Sequence, residues 1–63
     1  MVHAIGYDSK SKELEVVFSS GSVWRYIGVP RKVFRELLSA MSIGQYMNDY
    51  VIGVYPEYEF RRR

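Results

Sequence analysis

The sequence predicts an α+β domain: a three-stranded antiparallel β-meander, then two short α-helices packed on one sheet face, with an extended C-terminal segment. Three observations carry that expectation. Apolar and polar residues alternate on both sides of Ser19-Ser20-Gly21, as in a β-hairpin. After Pro30 the apolar spacing changes from every second residue to every third or fourth. The chain has 63 residues, enough for one small domain spanning 1–63 and no second one.

The first strand is "VHAIGYD", which runs into the polar loop "DSKSKE". The second is "LEVVFSS", with Leu14, Val16 and Phe18 on one side and Glu15 and Val17 on the other. The third is "SVWRYIG". The loop between the last two decides which residues share a face, because a one-residue slip would turn every side chain over. A three-residue turn with Gly21 in the left-handed position needs no Cβ penalty. It pairs Phe18 with Ser22, Val17 with Val23, Val16 with Trp24, Glu15 with Arg25 and Leu14 with Tyr26. One face then collects five large apolar residues. The other sets Glu15 opposite Arg25, a cross-strand pair worth about 0.2–1 kcal/mol. A two-residue turn would instead place Glu15 beside Tyr26.

Pro30 holds Val29 extended and is tolerated at a helix start. Val33, Phe34, Leu37, Leu38 and Met41 then recur at helical spacing, leaving Arg31, Lys32, Arg35 and Ser39 elsewhere. Ser42 and Gln45 form a capping-box pattern that begins a second helix. Its apolar stripe is Ile43, Tyr46, Met47, Tyr50 and Val51, and Gly53 supplies a stop. The tail "VYPEYEFRRR" alternates as an extended edge segment would, with Pro56 disfavouring a central strand, and a frayed tail is an equal alternative.

A chain this short removes only about 60% of its surface from water on folding, so its core is marginal. With no cysteine, neither a disulfide nor a thiolate metal site reinforces it. Six Tyr, three Phe and one Trp do instead, at roughly 150–250 Å² buried per ring. No apolar run approaches a membrane span and "MVHAIGYDSK" lacks a signal-peptide pattern, so a cytoplasmic setting with no membrane partner is the expectation. The net charge of +2 is weakly basic. Residues 1–29 balance, and the excess comes from Arg31, Lys32 and Arg35 and from Arg61, Arg62 and Arg63.

The pieces "IGYD" at 5–8, "LEVVFSSG" at 14–21, "WRY" at 24–26, "VPRKVF" at 29–34 and "LLSAMSIGQYMN" at 37–48 are each weak alone. In this order and spacing they resemble the KTSC domain, named after the C-terminal extension of some lysyl-tRNA synthetases and found also as a stand-alone bacterial and phage protein. The resemblance covers roughly Ile5 to Tyr55, leaving 56–63 as a tail. Trp24 stands where the family has the first Tyr of a central Tyr-x-Tyr, and Met47 where Phe is common. Both keep a large apolar side chain. What the resemblance implies about function is RNA binding, by association with the synthetases rather than by any site.

Catalysis is the weakest expectation. His3 is the only histidine and lies near a terminus expected to be mobile, and the acids are scattered with no pair forced together. No phosphate loop, metal-ligand pattern or cofactor motif is present, so no cofactor is expected. Contact with RNA or another single-stranded nucleic acid is the leading reading. Its candidates are Arg31, Lys32 and Arg35 with Arg61, Arg62 and Arg63; the competing reading, and the commoner use of such charge, makes the first three simply the solvated face of an amphipathic helix. Two cations in a helix's first turn oppose its dipole by a few tenths of a kcal/mol, which a bound phosphate would relieve.

Two uses compete for Trp24 and Tyr26. As a stacking platform each ring would contribute about 1–3 kcal/mol per base. As core they would cover the helical stripes, and the register favours this use. Val17, Val23, Arg25 and Ile27 then form the opposite sheet face, a candidate surface for homodimerisation or a protein partner.

Overall fold

A computed structural model describes residues 1–61. Its elements in chain order are β1 (Val2–Asp8), β2 (Glu13–Phe18), β3 (Val23–Ile27), α1 (Arg31–Ser39), α2 (Ile43–Tyr50) and β4 (Glu57–Phe60). The fold is α+β, but its sheet has four strands rather than three, in the order β1-β2-β3-β4. The tail segment is the fourth. β4 returns after both helices to pair antiparallel with β3, setting Val23 against Phe60, Trp24 against Glu59, Arg25 against Tyr58 and Tyr26 against Glu57. Pro56 donates nothing, yet its carbonyl accepts the Ile27 amide at 2.9 Å and begins the pairing. Placing a proline at the outset of an edge strand costs no ladder bond.

The hairpin forms in the three-residue register. Val17 pairs with Val23, Val16 with Trp24, Glu15 with Arg25 and Leu14 with Tyr26. The Phe18 amide donates to Ser22 and the Gly21 amide closes the turn on Phe18, with Gly21 at φ 94. β1 pairs with β2 from Val2 to Asp8, with a register shift between Val2 and Ala4 that leaves His3 as the extra residue. The N-terminal segment is thus strand, and the Ser19 amide donates to the Met1 carbonyl at 2.8 Å.

One sheet face carries both helices. Leu14, Val16 and Tyr26 from the sheet join Val29, Leu37, Met47 and Val51 in a fully buried cluster. Ile5, Tyr7, Phe18, Trp24 and Phe34 are among the half-buried residues packed around it. The helical stripes are narrower than their spacing predicts, since Leu38, Met41 and Tyr50 are exposed. α1 ends at Ser39, so Met41 belongs to the connection and not to the stripe. Ser42 does cap α2, accepting the Gln45 amide at 3.2 Å. The reciprocal half of the capping box is absent because the Gln45 side chain reaches forward to Asp49 instead. The helix stops at Tyr50, and the chain turns at Gly53, φ 83.

Candidate nucleic-acid interface

The chain leaves β3 at Ile27 and reaches α1 through Gly28, Val29 and Pro30, and Val29 holds this junction in place. Its side chain is fully buried, its amide donates to the Lys12 carbonyl at 2.9 Å, and its carbonyl accepts the Tyr7 hydroxyl at 2.6 Å. Pro30 is the N-cap, extended at φ −66 and ψ 151. Leu37 is buried in the core and Phe34 packs against it while stacking on Tyr7, with centroids 4.9 Å apart and planes 13° from parallel. With that face spent, Arg31, Lys32 and Arg35 remain on the exposed face of α1. No acidic residue occupies the first turn.

The same junction brings in two further cations that the sequence reading passed over. In a meander the β1–β2 loop and the end of β3 lie at one end of the sheet, and the Val29–Lys12 bond ties them directly. Asp8 shapes the loop by accepting the Lys10 amide at 2.9 Å and, more weakly, the Ser11 amide at 3.4 Å. Lys12 closes it at φ 58, a left-handed conformation that costs a non-glycine residue on the order of 1–3 kcal/mol. Lys10 and Lys12 are both exposed. Among the described residues the ion pairs are Arg25–Glu15 at 2.9 Å and Arg61–Glu59 at 3.1 Å. None of Lys10, Lys12, Arg31, Lys32 or Arg35 is in either.

The structure separates the remaining candidates from this end. Arg61 follows Phe60, which pairs with Val23 beside the β2–β3 turn, so it lies at the opposite end of the sheet. Its guanidinium is held by Glu59. Arg62 and Arg63 lie outside the described residues. Tyr26 is 2% exposed and offers no ring face to a base, while Trp24 is half-buried against the core. The stacking reading of this pair therefore fails for Tyr26, for a packing reason: its ring fills the space between the sheet and the helices.

The outer sheet face is more aromatic and less aliphatic than expected. Val17 and Val23 are half-buried and Ile27 is exposed. β4 adds Tyr58 and Phe60 beside them. The Arg25 guanidinium lies 4.0 Å from the Phe60 ring centroid, and two of its nitrogens contact one Glu15 oxygen at 2.9 Å. Tyr58 and Glu15 together raise the Arg25 pKa above its already high value. On the helical side two tyrosines titrate late. Burial, with Glu57 nearby, pushes Tyr26 up to about 12. Donation to the Glu36 carboxylate at 2.7 Å, with some desolvation, pushes Tyr46 to about 12 as well.

Among the described residues no three His, Cys, Asp or Glu side chains are grouped as a metal site. No helix among them is long and apolar enough to cross a membrane. His3 stands exposed in the β1 bulge.

The fold as a whole is shared with a solved structure. The sequence profile of the KTSC domain matches residues 1–55. The chain belongs to the KTSC domain family. The crystal structure of a KTSC domain protein from Yersinia pestis superposes with a TM-score of 0.93 at 27% identity, covering 95% of this chain and 84% of that one. An uncharacterized protein of Stutzerimonas stutzeri is 45% identical over 47 residues, 75% of this chain and 66% of that protein. A lysine–tRNA ligase of Nostoc punctiforme is 36% identical over 53 residues, 84% of this chain. This KTSC domain spans only 9% of that ligase, so the likeness is to a small region of it.

Proposed function

We propose that this KTSC domain is a non-catalytic module that contacts RNA through the exposed face of α1. The observation that carries this is the set Arg31, Lys32 and Arg35: all exposed, none ion-paired among the described residues, on a helix whose first turn holds no acid. Folding does not use this charge, and in the first turn it opposes the helix dipole. Phosphate oxygens are the ligands that would. The ligase relative, which acts on a tRNA by its name, supports RNA as the source of those phosphates. Lone His3 and scattered carboxylates support a non-catalytic role. The test is anisotropy of a labelled RNA against the protein at two salt concentrations. Binding should weaken steeply with salt and disappear in the triple variant Arg31→Glu/Lys32→Glu/Arg35→Glu. Undiminished binding by that variant would sink the proposal.

A second reading rests on the outer sheet face, where Ile27 is 42% exposed and Tyr58 and Phe60 are each 38% exposed. Self-association through this face would cover them. It predicts a mass that rises with concentration and falls to monomer in Val17→Asp/Phe60→Asp. A monomer at all concentrations dismisses it.

A further inference from the structure

We infer that the RNA-contacting surface is bipartite, with the β1–β2 loop supplying Lys10 and Lys12 beside Arg31, Lys32 and Arg35, and that it grips the phosphate backbone of a base-paired stem rather than a single strand. The inference rests on the RNA reading above and names the substrate class for it.

The first support is the backbone link. Lys12 and Val29 are joined by a 2.9 Å hydrogen bond, and Val29 is buried and bonded at both of its own backbone groups. Each residue advances at most ~3.6 Å, so Arg31 begins within roughly 7 Å of Val29. The loop and the helix start therefore share one end of the molecule, which carries exposed cations drawn from two segments: Lys10, Lys12, Arg31, Lys32 and Arg35. Of the acids at this end, Asp8 is partly spent on the loop amides and Glu13 accepts the Tyr58 hydroxyl at 3.4 Å, while Glu57 lies across from Tyr26 on β4.

The second support is the placement of the rings. Proteins that bind single strands combine a basic groove with aromatics on which successive bases stack. Here Tyr7 is stacked on Phe34 and Tyr26 is buried, so these two rings are closed to a ligand. Tyr58 and Phe60 are on the outer face, where the Tyr58 hydroxyl donates to Glu13 and Arg25 covers Phe60. Tyr50 is exposed on α2 but leans on Tyr46, with centroids 4.7 Å apart. A set of exposed cations whose neighbouring Tyr7, Phe34 and Tyr26 rings are packed inward suits a ligand whose bases are already paired and whose phosphates are held in a regular array. A-form RNA is recognised in this way, by shape and backbone.

The experiment uses the full chain with three labelled probes of equal length: an RNA hairpin, an unstructured RNA strand and a DNA duplex. The hairpin should bind more tightly than the unstructured strand. Lys10→Ala/Lys12→Ala should weaken hairpin binding about tenfold at low salt. It should also flatten the plot of log affinity against log salt by about one unit per lysine, so about two. Tyr50→Ala should leave the affinity within about twofold. A loop variant with unchanged affinity and slope, while the α1 triple variant loses binding, overturns the bipartite surface and leaves the RNA reading standing. Tighter binding of the unstructured strand, or its loss in Tyr50→Ala, overturns the stem. Equal binding of RNA and DNA duplexes supports backbone recognition, whereas no binding by any probe at low salt sinks both readings. Circular dichroism on each variant confirms the fold, and alanine at exposed loop positions avoids the risk that charge reversal carries.

Discussion

The helix-covered face of the sheet and the basic end of the domain both draw on α1, yet they are finished to different degrees. On the covered face Leu14, Val16, Tyr26, Leu37, Met47 and Val51 are sealed from water, and no polar or charged residue is buried among them. At the basic end five cations stand in solvent with no carboxylate partner among the described residues, and Lys12 holds a left-handed backbone that a glycine would adopt freely. One region has its interactions completed within the molecule. The other has charge left over and conformational strain. Stability is concentrated in the first, and the second is where the proposed RNA contact would have something to satisfy.

The largest effect should come from the completed region. Leu37→Ala removes a fully buried side chain from the contact between α1 and the sheet and should cost about 2–5 kcal/mol. A 63-residue domain holds only about 3–9 kcal/mol in total at 0.05–0.15 per residue, so the loss is a large fraction of it and the melting midpoint should fall by roughly 8 °C or more. A melt displaced by only a degree or two would mean that the helices contribute little to the core.

Tyr7→Phe tests the seam between the regions, since it deletes the 2.6 Å bond to the Val29 carbonyl and keeps the ring on Phe34. About 1 kcal/mol should be lost in denaturant unfolding. RNA affinity should fall too, if that bond fixes the junction. Stability loss with unchanged affinity would show that the basic end does not depend on the seam.

The Tyr46–Glu36 contact joins the helices at the surface and is read by pH. The folded-state pKa is raised from 10.0 to about 12, so the contribution to stability is complete below pH 10 and is lost as pH rises from 10 towards 12. Glu36→Gln should bring the Tyr46 titration down towards 10, seen in the tyrosinate absorbance. No change in that titration would remove Glu36 as its cause.

The smallest stability effect belongs to the unfinished region. Arg31→Glu/Lys32→Glu/Arg35→Glu should shift unfolding by no more than about 0.5 kcal/mol, with a gain if anything, because acids suit a helix start. A loss of several kcal/mol would show that the fold does use this charge.

Much of the sheet was legible because the hairpin register follows from one turn. Gly21 at the left-handed position sets Glu15 against Arg25, and every neighbouring pair follows from the strand period of two. β4 was harder to read because an edge strand of four residues has little alternation to show, and its partners, from Tyr26 for Glu57 to Val23 for Phe60, lie across two helices. The helix face with Arg31, Lys32 and Arg35 followed from spacing. Lys10 and Lys12 did not, because their loop is balanced in charge along the chain and only the meander folds it back beside Val29.

The sequence by itself determined the local geometry: the three-residue turn, the helix starting after Pro30, the cap at Ser42, and the faces on which Trp24, Tyr26 and Arg25 stand. These depend on backbone sterics and on side-chain periodicity within a few residues. Tertiary structure alone decided that Tyr26 is closed to any ligand, that Arg61 lies at the far end of the sheet from Arg31, and that Lys12 and α1 share one end. Burial and proximity across the chain depend on which elements pack together, and that is a property of the whole core rather than of any stretch of it.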